Sequence, residues 1–436
     1  MDWIGPLLRY LKTKKVNAIV SVQATLEVNG AISITNLSRQ LDQTNLNKGI
    51  LQTILSKHQD NLVNQLCGPK YSRYKNRQYR RAGTAWRTLQ TRHGEITLRV
   101  IKVRSLENNT IFKPLLLDLG VEPHKRIVDD LVLESAEAAS LLTYRDAVTV
   151  IESLTKAETS KHRVHRYVQI VGLYMNAERR KSIPDRVGIM RGDGTKTHGL
   201  GGRKNMVNVV LGRDPETGDK HLLAVEVNEK WPETAIQVSS EADVLVSDAD
   251  KALRNALRGK VLSYQLCVNH AVREAGNHLW RTGLPNDKRR CILSRLVSIL
   301  RVLRFSVRKH LLDEDYGRLR WRIGWTLTEL RKLASELTDA GLEGVGKYIR
   351  QSANYLVTYA RLAVKGERIP YTNNLIERLM GEIAKRVKNR WMHWSTVGLE
   401  NMLNILLVRY CDKSLYSSLK ENFYKIEEVT IEVKIT

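Results

Sequence analysis

Residues 242–257, "ADVLVSDADKALRNAL", decide the fold class. A short apolar run ends on Asp248, and a helical pattern starts directly after Asp250. An apolar run bounded by polar residues reads as a buried strand, and an Asp ahead of a periodic stretch reads as a helix N-cap. Working outward, "RVGIMRGDG" (186–194) is a second apolar strand, expected to end on Asp193. Between the two, "KNMVNVVLGRDPETGDKHLLAVEVNEK" (204–230) has the pattern of a hairpin with a loop of turn residues. Downstream, "KVLSYQLCVNHAVREAGNHLW" (260–280) runs from a strand into a helix near Cys267–His270. Strands and helices in this order predict an α/β core with a sheet flanked by helices.

A third acid comes later. "YTNNLIERLMGEIAKRVKNR" (371–390) opens a basic helix in which Ile376, Met380, Ile383 and Val387 form the expected buried stripe, with Glu377 at its edge. Each acid has a local explanation. Asp193 fits the turn position of an Asp-Gly pair, Asp248 or Asp250 fits an N-cap, and Asn374 with Glu377 has capping-box spacing. Jointly, two Asp at strand ends and a Glu on a helix beside the sheet form the donor set that holds two divalent ions. Hard oxygen ligands suit Mg²⁺ or Mn²⁺, and such a pair supports in-line displacement at a phosphodiester. Asp250 and Glu382 lie close enough in sequence to stand in for an assigned carboxylate.

Composition names the partner class. The 436 residues carry 71 Lys+Arg against 46 Asp+Glu, a formal net charge of +25, with 42% hydrophobic residues. At roughly 100–200 residues per domain the length allows two to four domains. A globular chain this basic repels itself unless a polyanion relieves it, which favours nucleic acid over an acidic membrane surface. Cys67, Cys267, Cys291 and Cys411 include no C-x-x-C pair, which argues against a four-Cys zinc module or a disulfide framework and fits a reducing compartment. No apolar run reaches the roughly 18 residues of a membrane span. The opening "MDWIGPLLRYLKTKK" lacks a signal-peptide core, so a soluble, intracellular protein is expected.

Basic and aromatic residues concentrate in "KYSRYKNRQYRRAGTAWRTLQTRHGEITLRVIKVR" (70–104), where eleven Lys/Arg face the single acid Glu95 and Tyr71, Tyr74, Tyr79 and Trp86 interleave. That pattern predicts phosphate contacts from Arg73, Lys75, Arg77, Arg80 and Arg81, on a segment that ends in a β-hairpin turning at His93–Gly94. Residues 30–60 read as two short helices with a turn, compatible with a helix-turn-helix or with any small helical pair. The same rhythm recurs in 142–172, with Lys161, Arg163 and Arg166 on its last helix, around 160–171. Lys385 and Arg386 extend the basic set. The expected division is 1–65, 66–105, 106–182, a core from 183–270 and 366–412, a helical insertion 271–365, and a tail 413–436. In the insertion, Trp321 and Trp325 share a face by spacing and are expected in the core. Trp391 and Trp394 fit either base stacking or core packing. The insertion is expected to pack beside the sheet, because both its ends must lie near the acids.

In order along the chain, "YRRAGTAWRTLQTRHGEITLRV", "GDGTKTHG", "VLVSDADKALRNAL", "CVNH" and "NNLIERLMGEIAKRVKNR" resemble the Mutator-like DDE transposases of insertion sequences, archaeal relatives included. The resemblance covers roughly residues 70–410, and its specificity lies in the order and spacing of short motifs. It implies a ribonuclease H-like core interrupted by a helical insertion, preceded by mainly helical DNA-binding regions. It also implies Asp193, Asp248 and Glu377 as catalytic metal ligands for two Mg²⁺ or Mn²⁺ ions, and places the family's C-x-x-H motif on Cys267 and His270. A lone C-x-x-H is half a zinc site, with His278 the nearest further ligand, and it equally suits a packed strand-to-helix junction. The implied activity is binding to the terminal inverted repeats of a mobile element, strand cleavage and strand transfer, by a homodimer in a prokaryotic cytoplasm or nucleoid. The rivals are a structure-selective nuclease on the same fold and a domesticated DNA-binding protein that no longer cuts.

Overall fold

The computed structural model describes residues 46–70, 78–388 and 392–424. Its contacts divide into two compact units, with boundaries at Tyr167/Val168 and Asn422/Phe423.

The first unit begins, among the described residues, with helix α1 (Leu46–Cys67). The first helix of the pair expected over residues 30–60 lies outside the described residues, and 46–60 belong to one continuous helix with no turn. Strands β1 (Tyr79–Thr91) and β2 (Gly94–Ser105) form the basic hairpin, and β3 (Ile111–Phe112) adds a short third strand. The turn sits at Arg92–His93, one residue earlier than expected, because Gly94 at φ 92° already pairs with Thr91. The register slips between Arg81 and Thr84 at Gly83, whose φ of 96° suits a bulge. Leu62, Val63 and Leu66 of α1 pack with Val103 and Phe112, so one face of the hairpin is covered.

Helices α2 (Pro114–Asp118), α3 (Asp129–Leu141) and α4 (Tyr144–Thr155) follow. Thr143 caps α4 by accepting from the Asp146 N–H at 3.1 Å, and Lys156 closes it in the left-handed region. Helix α5 (Lys161–Lys181) is longer than the 160–171 expected and carries the unit boundary within it.

The second unit is built on a five-stranded mixed sheet with the order β6-β5-β4-β7-β8. Its elements are β4 (Arg186–His198), β5 (Lys204–Arg213), β6 (Lys220–Val227), α6 (Trp231–Gln237), β7 (Glu241–Ser247), α7 (Lys251–Leu257) and β8 (Val261–Leu266). The β4, β5 and β6 pairings are antiparallel, whereas β7 and β8 run parallel to β4. Met190, Val210, Leu245 and Leu253 form a core on the face covered by α6 and α7. Strand β4 does not stop at Asp193. It continues to His198 because pairing with β5 serves its backbone as far as Lys204.

After β8 come α8 (Val268–Trp280), α9 (Asn286–Leu312), α10 (Tyr316–Asp339), α11 (Glu343–Leu356) and α12 (Thr358–Val364). Leu266 of β8 shares one hydrophobic cluster with Ala271, Leu300, Leu330 and Ile349, so these helices pack beside the sheet within one unit. Trp325 packs against that cluster, but Trp321 is 63% exposed. The buried stripe of α10 runs through Leu319, Ile323, Thr326 and Leu330, and Trp321 lies on the opposite side of the helix. Helices α13 (Asn374–Val387), α14 (Thr396–Cys411) and α15 (Lys413–Tyr424) complete the fold as an all-helical end. No helix among the described residues is long and apolar enough to cross a membrane.

Candidate active site

The β4–β7 register brings the two Asp together. Arg191 pairs with Val246 in the last parallel match, so two residues further along stand Asp193, within β4, and Asp248, just past the end of β7. Adjacent strands lie about 4.8 Å apart. Gly192, just before Asp193, lets α7 pack closely: a Cβ there would lie 2.7 Å from Leu253 Cδ1. Asp193 Oδ1 accepts from the Gly194 N–H at 2.8 Å, and Asp248 Oδ1 accepts from the Asp250 N–H at 3.1 Å. The Tyr264 hydroxyl donates to the Asp248 carbonyl at 2.5 Å and fixes the backbone there.

Glu377 reaches the same end of the sheet from the first turn of α13, which packs on β4. The capping box expected from Asn374 and Glu377 does not form. The N-cap is Asn373, and its side chain makes no capping bond; its Nδ2 donates to the Gly192 carbonyl at 3.5 Å. The buried stripe of α13 is Ile376, Leu379, Ile383, Arg386 and Val387, with Leu379 in the place expected for Met380.

Burial pushes the Asp193 carboxyl up to about 6, and the neighbouring carboxylates of Asp248 and Glu377 push in the same direction. The Gly194 amide and the Arg273 guanidinium act against that rise. Two neighbouring carboxylates that raise the pKa of a third mark an anionic cluster short of positive charge. Its donors are hard oxygens, which fits a divalent cation of the magnesium type.

Cys267 and His270 sit at the β8–α8 junction. A ring nitrogen of His270 lies 3.3 Å from Glu377 Oε1. Burial lowers the His270 pKa, and Arg273 adds to this, while Glu377 and Asp248 oppose it. Cys267 is fully buried, its Sγ accepts from the Asn373 N–H at 3.3 Å, and burial raises its thiol pKa. Among the described residues, the three ligand-type groups with atoms all within 4.8 Å of one another are Cys267, His270 and Glu377, not the three carboxylates. His278 does not complete that set as a zinc site; it lies 3.8 Å from Glu274 and stacks on Tyr348. The Sγ hydrogen bond and the burial of Cys267 make this a packed strand-to-helix junction.

The alternate acids are committed elsewhere. Asp250 caps α7 through the Ala252 N–H at 2.8 Å, while its other oxygen accepts from Trp231 Nε1 at 2.9 Å. Glu382 pairs with Lys385 at 2.7 Å. Arg273 was not legible as a site residue, although its i+3 spacing from His270 on α8 was the available signal.

The basic residues separate into groups. Arg73, Lys75 and Arg77 lie outside the described residues, as does Trp391. Arg80 is exposed, and Arg81 donates to Asn64 Oδ1 at 2.7 Å. Lys161, Arg163 and Arg166 are exposed along the first turns of α5. Lys385 is exposed on α13. Arg386 departs from the expectation of a phosphate contact: it is 5% exposed, with its guanidinium 4.8 Å from the ring centre of buried Trp394. Its spacing continues the Leu379–Ile383 stripe, which turns the charge inward, and Trp394 is core rather than a stacking platform.

No curated protein matches the chain. The sequence model of the family described as "Transposase, Mutator family" matches residues 23–303, well over half of the chain. That span contains Asp193, Asp248, Cys267, His270 and Arg273 and ends before Glu377. The chain belongs to the Mutator family of transposases.

Proposed function

We propose that this protein is a DDE transposase that binds the terminal inverted repeats of a mobile element, cuts there and joins the ends to target DNA. The observation that supports the reading best is that Asp193 stands beside Asp248 in the strand register and has its pKa raised by the charges of both Asp248 and Glu377. The strand order, with an antiparallel β4–β5–β6 ribbon joined to parallel β7 and β8, supports a ribonuclease H-like core carrying α8–α12 as its insertion. Asp193, Asp248 and Glu377 would hold two Mg²⁺ or Mn²⁺ ions. When bound, such ions stabilise charge on the scissile phosphate and activate water or a 3′-hydroxyl as nucleophile. The protein's own part is positional. His270, with a ring nitrogen 3.3 Å from Glu377 Oε1, packs beside that acid, and Arg273 offsets carboxylate charge on the same side.

The DNA partner is supported by the net charge of +25 and by exposed cations on the hairpin and on α5. On the hairpin, Trp86 is 72% exposed and stands opposite Arg99, a pairing suited to the edge of a duplex. Two element ends must be held at once, which calls for a homodimer on DNA. The test is to incubate the protein with Mg²⁺, labelled element ends and a target plasmid. Joined products are expected. Cleavage without joining would support the structure-selective nuclease, and binding without cleavage the domesticated DNA-binding protein.

A further inference from the structure

Three hydrogen bonds meet between the elements that carry the three carboxylates. Gly192, directly before Asp193, has a carbonyl that accepts from Asn373 Nδ2 at 3.5 Å. Ser247, directly before Asp248, has a carbonyl that accepts from the Cys267 N–H at 2.8 Å. The two halves are joined because the Asn373 N–H donates to Cys267 Sγ at 3.3 Å. The Val268 N–H also donates to the Tyr371 carbonyl at 3.0 Å, so the chain entering α13 is tied twice to the chain entering α8. At the far end the Glu377 N–H donates to the Asn373 carbonyl at 3.2 Å, which makes Asn373 the last fixed point before the acid. Asn373 is 1% exposed and Cys267 is fully buried.

This is an unusual use of an N-cap Asn. At such a position the side-chain oxygen ordinarily accepts from an amide of the first turn. Here Asn373, at φ −96° and ψ 23°, makes no side-chain capping bond, and its amide group donates across to β4. The amide orientation follows from chemistry, since a carbonyl oxygen can accept only from the nitrogen side. The bond is therefore spent on placing the helix rather than on ending it.

We propose that Asn373 and Cys267 form a positioning clamp that sets the Glu377 helix at a fixed distance from the strands bearing Asp193 and Asp248. Neither residue touches substrate or metal in this role. Metal ions held by three chain segments require those segments in register to a fraction of an ångström, and partners behind the ligands typically alter metal affinity by about 10–100-fold. The inference rests on the proposed carboxylate triad, so its test includes a measurement that needs no metal.

The full-length chain is compared with Asn373→Asp, Asn373→Ala, Cys267→Ala, Cys267→Ser and Asp193→Asn variants. Asn373→Asp keeps the shape but replaces the donor with an oxygen facing the Gly192 carbonyl; should it fail to fold, Cys267→Ala tests the clamp's other link, from the Asn373 N–H to Sγ. Hydrogen exchange over residues 371–378 is expected to quicken about 10-fold in both Asn373 variants and in Cys267→Ala. Cys267→Ser should recover part of the protection, because its hydroxyl can still accept. In parallel, Mn²⁺ binding followed by electron paramagnetic resonance should weaken about 10-fold in the Asn373 variants, with duplex DNA affinity unchanged as the control for folding. Unchanged exchange at 371–378 overturns the clamp. So does faster exchange with Mn²⁺ affinity kept within about twofold, which would make the contact mere packing. If Asp193→Asn leaves wild-type Mn²⁺ binding intact, the triad reading fails instead, and the exchange result alone decides the clamp.

Discussion

The carboxylate end of the sheet and the β1–β2 hairpin handle charge in opposite ways. At the sheet, acids are drawn together against their own repulsion, and burial raises Asp193 to about 6. Their oxygens are held by specific amides, at 2.8 Å for Asp193 and 3.1 Å for Asp248. On the hairpin strands, cations are spread out and several lean on neutral partners: Arg81 on Asn64, Arg99 on Thr84 at 3.2 Å, Arg104 on Asn109 at 3.3 Å, while Arg92 in the turn pairs with Glu134. A neutral partner orients a guanidinium without cancelling its charge. The first region therefore depends on atomic placement and should fail all at once. The second works through summed potential and should lose function by degrees.

The sharpest way to break this contrast is at the acids. Asp193→Asn and Glu377→Gln should each reduce cleavage of element ends by about 10³-fold or more, since bound ions of this kind supply several kcal/mol of transition-state stabilisation. Duplex affinity should stay equal or rise slightly, because negative charge is removed near the phosphates. Glu382→Gln, which breaks only the Lys385 pair, should change cleavage less than about twofold. Substantial cleavage in Mg²⁺ by folded Asp193→Asn protein would remove the triad from the account.

The hairpin should respond in steps. Arg80→Ala together with Arg81→Ala should weaken binding to every duplex and flatten the log–log salt dependence by up to about 1.8, at roughly 0.9 per lost phosphate contact. Arg81 already serves Asn64, so a value nearer the single-contact figure is expected. An unchanged slope with affinity lost for one sequence alone would make these residues base readers. A smaller effect belongs to Asp250, the acid next to the site that caps a helix. Asp250→Ala should cost about 1–2 kcal/mol in a urea melt and leave cleavage per folded molecule within a few-fold. Loss of cleavage equal to that of Asp193→Asn would exchange their roles.

What was legible in the sequence follows the same division. Strands β4 and β7 were readable because apolar runs ending on polar residues have few other solutions, and the hairpin 204–230 because its loop is all turn chemistry. The end of β4 was not readable: "GDGTKTH" is polar and glycine-rich, and only pairing with β5 keeps it extended. The start of α13 was misplaced because two adjacent Asn present the same local signal. Tertiary contact with Gly192 and Cys267 selected Asn373 and turned its side chain away from capping. Arg386 was misjudged because charge outweighed spacing in the reading, whereas helix geometry turned it onto Trp394. Arg273, Tyr264 and Asn373 act through space across elements, which no local pattern encodes.

The finest test asks what the clustered acids cost the fold. Asp193 titrates at about 6 in the folded protein, above its ordinary value of 3.8. Between those values the folded state holds more protons than the unfolded state, so stability falls as pH rises through that window and is level above it. A shift of this size corresponds to about 3 kcal/mol, and partial solvent exposure of the site reduces it to about 1–2 kcal/mol. Asp193→Asn keeps an oxygen for the Gly194 amide but carries no charge. In chelator, its stability advantage over wild type should therefore be close to zero at pH 4 and grow to about 1–2 kcal/mol at pH 7.5, read from urea melts at four pH values. Millimolar Mn²⁺ should shrink or reverse that advantage, because only the wild type gains from the bound ion. Equal stability of the two proteins at pH 7.5 in chelator would mean that Asp193 is already compensated within the fold, and the contrast with the hairpin would lose its electrostatic basis.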